Sequence, residues 1–485
     1  MMKKFYIALV GLLFVCIGAV GQTTFTYQGI KYGINSKGEA YVAENPNVSG
    51  NITIPGTVYN GDKSYDVMEI GDGAFDGNQN LKSITIGGYV RKIGNNAFFE
   101  CKALTTVKMG DYMQEFGSSA FAYCSALTDI KLPGSINTIG VYAFSDCVSL
   151  ESIKIPLYLN DIKEGTFFGC RSLKTVNTEE AAFLKSIGKY AFNGCSSLFD
   201  LTLPKTVISI GDQAFENCSS LDRFDIPESV ESIGQSAFLN CTALTSIVIP
   251  SKISVVDENT FSGCTSLTSA TLPETMYAIG YKAFFGCSKL SSVDMPESMV
   301  YLQPMAFMNC SSLSSVTIPS GIEEISNNAF RGCTSLTTVT LPESVTTIGQ
   351  EAFSDCKLTA IEFPESLTNI GSNAFSSCDW LETVTCTSYN PPVIESLDAF
   401  SNAAYDNATL IVPDETYYVY LQSYGWDMFE NTKSAAIEDV FAETTAVADI
   451  FNMQGIIIKR NASKEDLHSL PTGIYIVNGK KIVVK

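Results

Sequence analysis

A chain of 485 residues with 45% apolar and only 17% charged residues can bury a large core and is not disordered. Its formal charge is −20, and without Lys3 and Lys4, 29 basic residues face 51 acidic ones. So acidic a surface repels phosphate backbones and anionic lipid, which argues against a nucleic-acid partner.

Residues 1–21 read as a secretory signal: Lys3 and Lys4 give the positive start, Phe5 to Val20 the apolar run, and Ala19-Val20-Gly21 the small-residue cleavage site. That run is shorter than the roughly 20 residues that span a bilayer. Cleavage after Gly21 is the expectation, with lipidation at Cys16 the disfavoured rival because Val15 precedes it. No later stretch is long and apolar enough to cross a membrane, so the mature chain is expected to be exported, soluble or surface-held. Residues 22–66 alternate in short segments punctuated by Gly and Asn, as in Asn51-Ile52-Thr53-Ile54-Pro55, and read as an N-terminal β cap.

Residues 67–412 repeat one pattern, plainest from Leu221 to Cys241: L-x-x-I-x-I-P-x-x-V-x-x-I-G-x-x-A-F-x-x-C. Its Phe falls at Phe75, Phe98, Phe121, Phe144 and Phe167, then after a 25-residue step at Phe192, Phe215, Phe238, Phe261, Phe284, Phe307, Phe330 and Phe353, with Phe375 and Phe400 closing the series. Fifteen copies at a period of 23 predict an α/β-type solenoid. In Leu221–Ile226, inward Phe224 and Ile226 alternate with outward Arg223 and Asp225, which predicts a short strand. Pro227 ends it, Val230 and Ile233 point inward, Gly234 permits a tight bend, and Ala237-Phe238 are placed on a short helical turn opposite the parallel sheet. At about 4.8 Å per step, fifteen coils make a rod or arc of roughly 65–70 Å.

This pattern resembles the BspA-type leucine-rich repeat of bacterial surface proteins over about Val67 to Pro413. The resemblance implies a leucine-rich-repeat arc on an exported protein, adhesin-like, with a host extracellular or cell-surface protein or another bacterial surface as partner. It supplies no catalytic residues to carry over. Departures are Asn78 in place of Cys, Thr166 and Thr260 in place of Ala, and Leu302-Gln303 in place of Ile-Gly. Between Phe167 and Phe192 one coil reads VNTEEAAFLKSIG, two residues longer: either a bulge offering Glu179 and Glu180 to a partner or a tolerated loop insertion, the latter favoured.

Residues 413–434 crowd Tyr417, Tyr418, Tyr420, Tyr424, Trp426 and Phe429, which read as a C-terminal cap, with an aromatic binding platform as the second reading. Residues 435–448 have no repeat register and read as a linker. Residues 449–485 form a small β domain whose F-N-M-Q-G and L-P-T-G-I-Y-I-V-N-G-K-K resemble a type IX secretion C-terminal sorting domain, placing the protein outside the cell or on the outer-membrane surface of a Gram-negative bacterium. The rival is a plain β module, with Asn478-Gly479 as its hairpin turn.

Thirteen of the 15 cysteines share one repeat position, from Cys101 to Cys378. Stacking sets them in a line rather than a tetrahedral cluster, so no metal site follows. Buried free thiols are favoured over disulfides between neighbouring coils. The single histidine, His468, leaves no Ser-His-Asp or Cys-His arrangement in the repeats, and no cofactor motif is present. The chain reads as a non-catalytic recognition protein. Most outward strand positions are Ser or Thr; charge gathers at Lys108, Asp129, Lys131, Lys154, Arg223 and Asp225, the candidate partner-binding residues. Glycan capture for nutrient uptake is the alternative, and the strand face lacks the aromatic platforms it would call for.

Overall fold

The computed structural model of the protein describes residues 24–435, 448–452, 456–463, 466, 469–471, 473–477 and 480–484. The secretory signal, most of the linker and His468 lie outside the described residues. The repeats fold as stacked parallel-strand coils, about 17 turns of roughly 23 residues. They fall into two compact units, Met1–Leu173 with Glu179–Phe183, and Lys174–Thr178 with Leu184–Lys485.

In the first unit, Thr24–Tyr27, Ile30–Ile34 and Ala40–Val42 form an antiparallel meander. Ala40–Val42 then pairs in parallel with Lys63–Ile70, which leads through Lys92–Ile93 and Glu115–Phe116 to Thr138–Ile139. A second parallel ladder runs through Gly50–Ile54, Leu81–Ile86 and Thr106–Lys108. Most coils thus contribute to two ladders, where the sequence suggests one. The ladder through Lys92–Ile93, Glu115–Phe116 and Thr138–Ile139 is the unexpected one, built from two-residue strands at the inward apolar residue of V-x-x-I-G, too short to leave a period-2 signature. The segment read as a cap adds coil-like rungs to both ladders, so the turns outnumber the fifteen Phe markers.

The second unit repeats the scheme. Glu324–Ile325, Thr347–Ile348, Asn369–Ile370 and Val393–Ile394 form one ladder. Ala360–Phe363, Thr383–Cys386, Thr409–Val412 and Asn431–Ser434 form another. The strand expected at Leu221–Ile226 is absent: Phe224 and Ile226 are buried and Arg223 and Asp225 exposed, but no ladder forms there. Alternating burial reports where side chains point, not how the backbone is bonded.

The helical turns expected around the Phe do not form. Within residues 24–434 the helices are Asn402–Asn407, Asp414–Thr416 and Tyr417–Tyr420. The reason is local. Two residues per coil, two before and two after the Phe, take positive φ: Ser236 and Asn240 at 55° and 60°, Asn259 and Gly263 at 55° and 73°. Left-handed residues four apart break an i→i−4 register. The freed N–H groups go to the next coil instead, from Ser236 to Glu258 O at 2.8 Å, Phe238 to Thr260 O at 2.9 Å and Asn240 to Ser262 O at 2.8 Å. Gly234 has another role than the expected bend. Its φ is not positive, and a Cβ there would lie 2.4 Å from the Asp212 nitrogen, so glycine is needed for close coil-to-coil approach.

The interior is a column of rings. Phe98 and Phe121 stack at 5.0 Å in the first unit, Phe238 and Phe261 at 5.5 Å in the second, and all four are fully buried. Asn78 replaces Cys in the first Phe-marked coil, where its amide nitrogen donates to Val48 O at 2.8 Å and its oxygen accepts from Asn80 and Leu81. Thr166 and Thr260 are tolerated in place of Ala because each hydroxyl donates to the carbonyl three residues back, Lys163 at 2.9 Å and Asp257 at 2.8 Å.

Candidate recognition surfaces

Reactive chemistry is quenched in the thiol line. The 14 cysteines from Cys101 to Cys386 are buried and free of disulfides. Each repeat thiol for which the bond is seen donates to the Phe carbonyl of the preceding coil, as Cys124 Sγ to Phe98 O at 3.2 Å and Cys264 Sγ to Phe238 O at 3.2 Å. Burial pushes the Cys101, Cys264, Cys333 and Cys378 thiols up to about 12. A protonated thiol is neither nucleophile nor metal ligand. Among the described residues, no three His, Cys, Asp or Glu side chains are placed to hold a metal ion.

The six candidate partner-binding residues are all exposed. In the first unit Lys108, Lys131 and Lys154 recur every 23 residues. Asp129 bridges in parallel to Ser152, which brings Lys131 and Lys154 to equivalent places on neighbouring coils. Lys154 Nζ lies 2.7 Å from Glu180 Oε1, a solvent-exposed pair contributed by the irregular coil. In the second unit Arg223 and Asp225 share one coil outside any strand. The hydroxyls just before the outward strand positions serve the backbone, Thr245 to Asp222 O at 3.0 Å and Thr268 to Thr245 O at 2.9 Å. The hydroxyls at those preceding positions are therefore structural.

The aromatic C-terminal segment covers the column. Trp426 is fully buried with Nε1 donating to Pro392 O at 2.8 Å, and Phe429 meets Phe400 edge-on at 5.2 Å. These rings are unavailable as a platform, although Tyr418 and Tyr424 stay exposed.

A surface outside the strand face is aromatic. At the corner just before the inward apolar side chain, the first unit carries Tyr89, Tyr112, Ser135 and Tyr158, each two residues after a Pro or Gly, and Phe183, which follows Ala181 in the irregular coil. The four rings are 49–64% exposed. Tyr158 and Phe183 stack at 5.9 Å with 23° between planes. Phe183 arrives from the irregular coil, so that insertion supplies a ring as well as Glu180. A count of aromatics by repeat position would have found this surface; reading outward strand positions alone passes over it.

The family model described as "BspA type Leucine rich repeat region (6 copies)" matches residues 68–198, 185–314 and 301–424. Among solved structures the chain is similar to a leucine-rich repeat protein from Bacteroides ovatus ATCC 8483, with 26% identity over 75% of this chain and 94% of that one and a TM-score of 0.51. It is also similar to a leucine rich cell surface protein from Faecalibacterium prausnitzii A2-165, with 27% identity, the same coverage of both chains and a TM-score of 0.47. No curated protein matches the sequence.

Proposed function

The chain belongs to the BspA-type leucine-rich-repeat family, and on that premise we propose that it is an exported, non-catalytic, adhesin-like recognition protein. Its partner is a host extracellular or cell-surface protein, or another bacterial surface. The observation that carries this reading is a set of exposed side chains held in register by the coils, with Lys108, Lys131 and Lys154 at 23-residue intervals. A backbone already held by the coils needs no further ordering on binding, which favours recognition. No helix among the described residues is long and apolar enough to cross a membrane.

Residues 1–21 act as the signal, 22–66 and 413–434 as caps of the solenoid 67–412, and 435–448 as a linker. The tail 449–485 directs type IX export to the surface of a Gram-negative bacterium. Its four strands, in the order Ile457–Ala462, Ala448–Asn452, Gly473–Val477, Lys480–Val484, form a sheet of their own, which supports a small β module. A panel of matrix proteins beside a glycan array tests the reading. Lys131→Glu with Lys154→Glu in the first unit, and Arg223→Glu in the second, should weaken partner binding without unfolding the protein; unchanged adhesion by both variants removes the strand face from consideration. The second reading, surface glycan capture, is favoured by the exposed corner rings.

A further inference from the structure

We infer that the corner of the first unit formed by Tyr89, Tyr112, Tyr158 and Phe183 is a binding ridge for a neutral glycan chain. This deepens the glycan form of the surface-recognition reading and rests on it. In the second unit this corner position holds Ser or Thr in six coils, with Lys252 and Gly321 in two others, and the hydroxyl donates to a backbone carbonyl of the preceding coil, as from Ser229 to Val207 O at 2.6 Å, Ser298 to Met276 O at 2.6 Å and Ser344 to Ile322 O at 2.7 Å. Ser135 keeps that arrangement in the first unit, donating to Asp111 O and Met113 O at 2.6 Å. An aromatic ring at this position cannot make that bond, and it leaves apolar surface in water. The Tyr158–Phe183 stack returns part of that loss to the fold, but all four rings remain about half exposed, which points to a use outside the fold.

The geometry names the occupant. The rings stand on successive coils with one gap at Ser135, and the coil rise of about 4.8 Å is close to the length of one pyranose unit in an extended chain. Tyr158 and Phe183, stacked within 23° of parallel, each cover one face of the other and leave their outer faces and edges to the C–H groups of a sugar. Beside them the exposed Lys154–Glu180 pair offers a donor and an acceptor for hydroxyl groups. The ridge is one residue wide and bounded by polar neighbours such as Asp111, unlike the contiguous apolar centre of a protein interface burying roughly 800 Å² per partner. The first unit carries 12 basic and 17 acidic residues over 24–173 and 179–183, so an anionic polymer is repelled and a neutral one is not.

The test uses the full chain in affinity gels containing β-glucan, xylan or mannan, with hyaluronan as the anionic control. At least one neutral polysaccharide should retard the protein. Tyr112→Ser, Tyr158→Ser and Phe183→Ser combined, which install the second unit's kind of corner, should weaken that binding by at least about tenfold. Their melting midpoint should be unchanged or higher, which separates lost binding from lost fold. Equal retardation of the triple variant, or retardation by hyaluronan alone, overturns the inference. So does the absence of any neutral-glycan binding in a chain that still binds a matrix protein, an outcome that leaves the broader recognition reading standing. Loss of a protein partner in the triple variant would make the ridge a protein dock and likewise overturn the glycan assignment.

Discussion

The first unit places Tyr89, Tyr112, Tyr158 and Phe183, with Ser135 among them, where the second places Thr206, Ser229, Thr275, Ser298, Ser344 and Ser366, with Lys252 and Gly321 among them. The charge differs too: 12 basic against 17 acidic residues in the first unit, but 11 against 28 over 174–178 and 184–435 of the second. Inside, the units are alike, with stacked rings, thiols bonded to Phe carbonyls and left-handed residues flanking the Phe of coils such as those of Phe121 and Phe284. A repeat protein performs its own control in this way. What every coil keeps is what stacking requires, and what one group of coils changes is free to serve a partner.

The largest way to break the shared interior is alkali. A thiol whose native pKa is raised stays protonated while the unfolded chain ionises near 8.5, so the unfolded state binds fewer protons and stability falls as pH rises. The stabilisation is complete below about pH 8.5 and is lost as pH climbs toward about 12, where burial has pushed Cys101 in the first unit and Cys264 in the second. Each thiol contributes up to roughly 1.4 kcal/mol per pH unit in that window. Thermal melts from pH 7 to 11 should show a steep decline, shallower in a variant with several of these cysteines replaced by Ala. Equal slopes would sink the thiol account.

Next, Phe121→Ala in the first unit and Phe238→Ala in the second should each cost roughly 3–5 kcal/mol in denaturant melts, since both leave a ring-sized cavity. A large difference between them would mean that the interiors are not equivalent. Smaller still, Gly77→Ala and Gly286→Ala should each cost about 1 kcal/mol, because φ is near 70° at both and the added methyl meets nothing within 4 Å. The smallest effect is at the corner. Tyr112→Ser should stabilise by up to about 1 kcal/mol through a new bond to backbone, and Ser229→Tyr should cost a similar amount.

The Phe period made the solenoid legible, and prolines such as Pro227 marked where outward segments end. Cys and Phe are apolar, and their spacing alone placed them inside. The rest depended on backbone bonding. Positive φ at Ser236 or Met305 has little signature in the residue itself, although the Gly, Asn or Asp before many of the cysteines, as in Gly263-Cys264 and Asn240-Cys241, was a clue. Two-residue strands such as Thr138–Ile139 carry too few positions to show a period. The candidate residues at Lys108 to Lys154 were found by outward alternation, which reads one face of a coil and misses the corner where Tyr89 and Tyr112 project.

The claim that the units share an interior and differ in use is tested most directly by amide hydrogen exchange on the full chain, with and without a polysaccharide that retards it. The amides of Phe98 and Phe238, bonded to the next coil at 2.8 and 2.9 Å, should be strongly protected in both conditions. Added protection should be confined to the corners at residues 88–90, 111–113, 157–159 and 182–184. Fast exchange at either Phe, or new protection on the Glu-Ser corners of the second unit instead, would contradict the account.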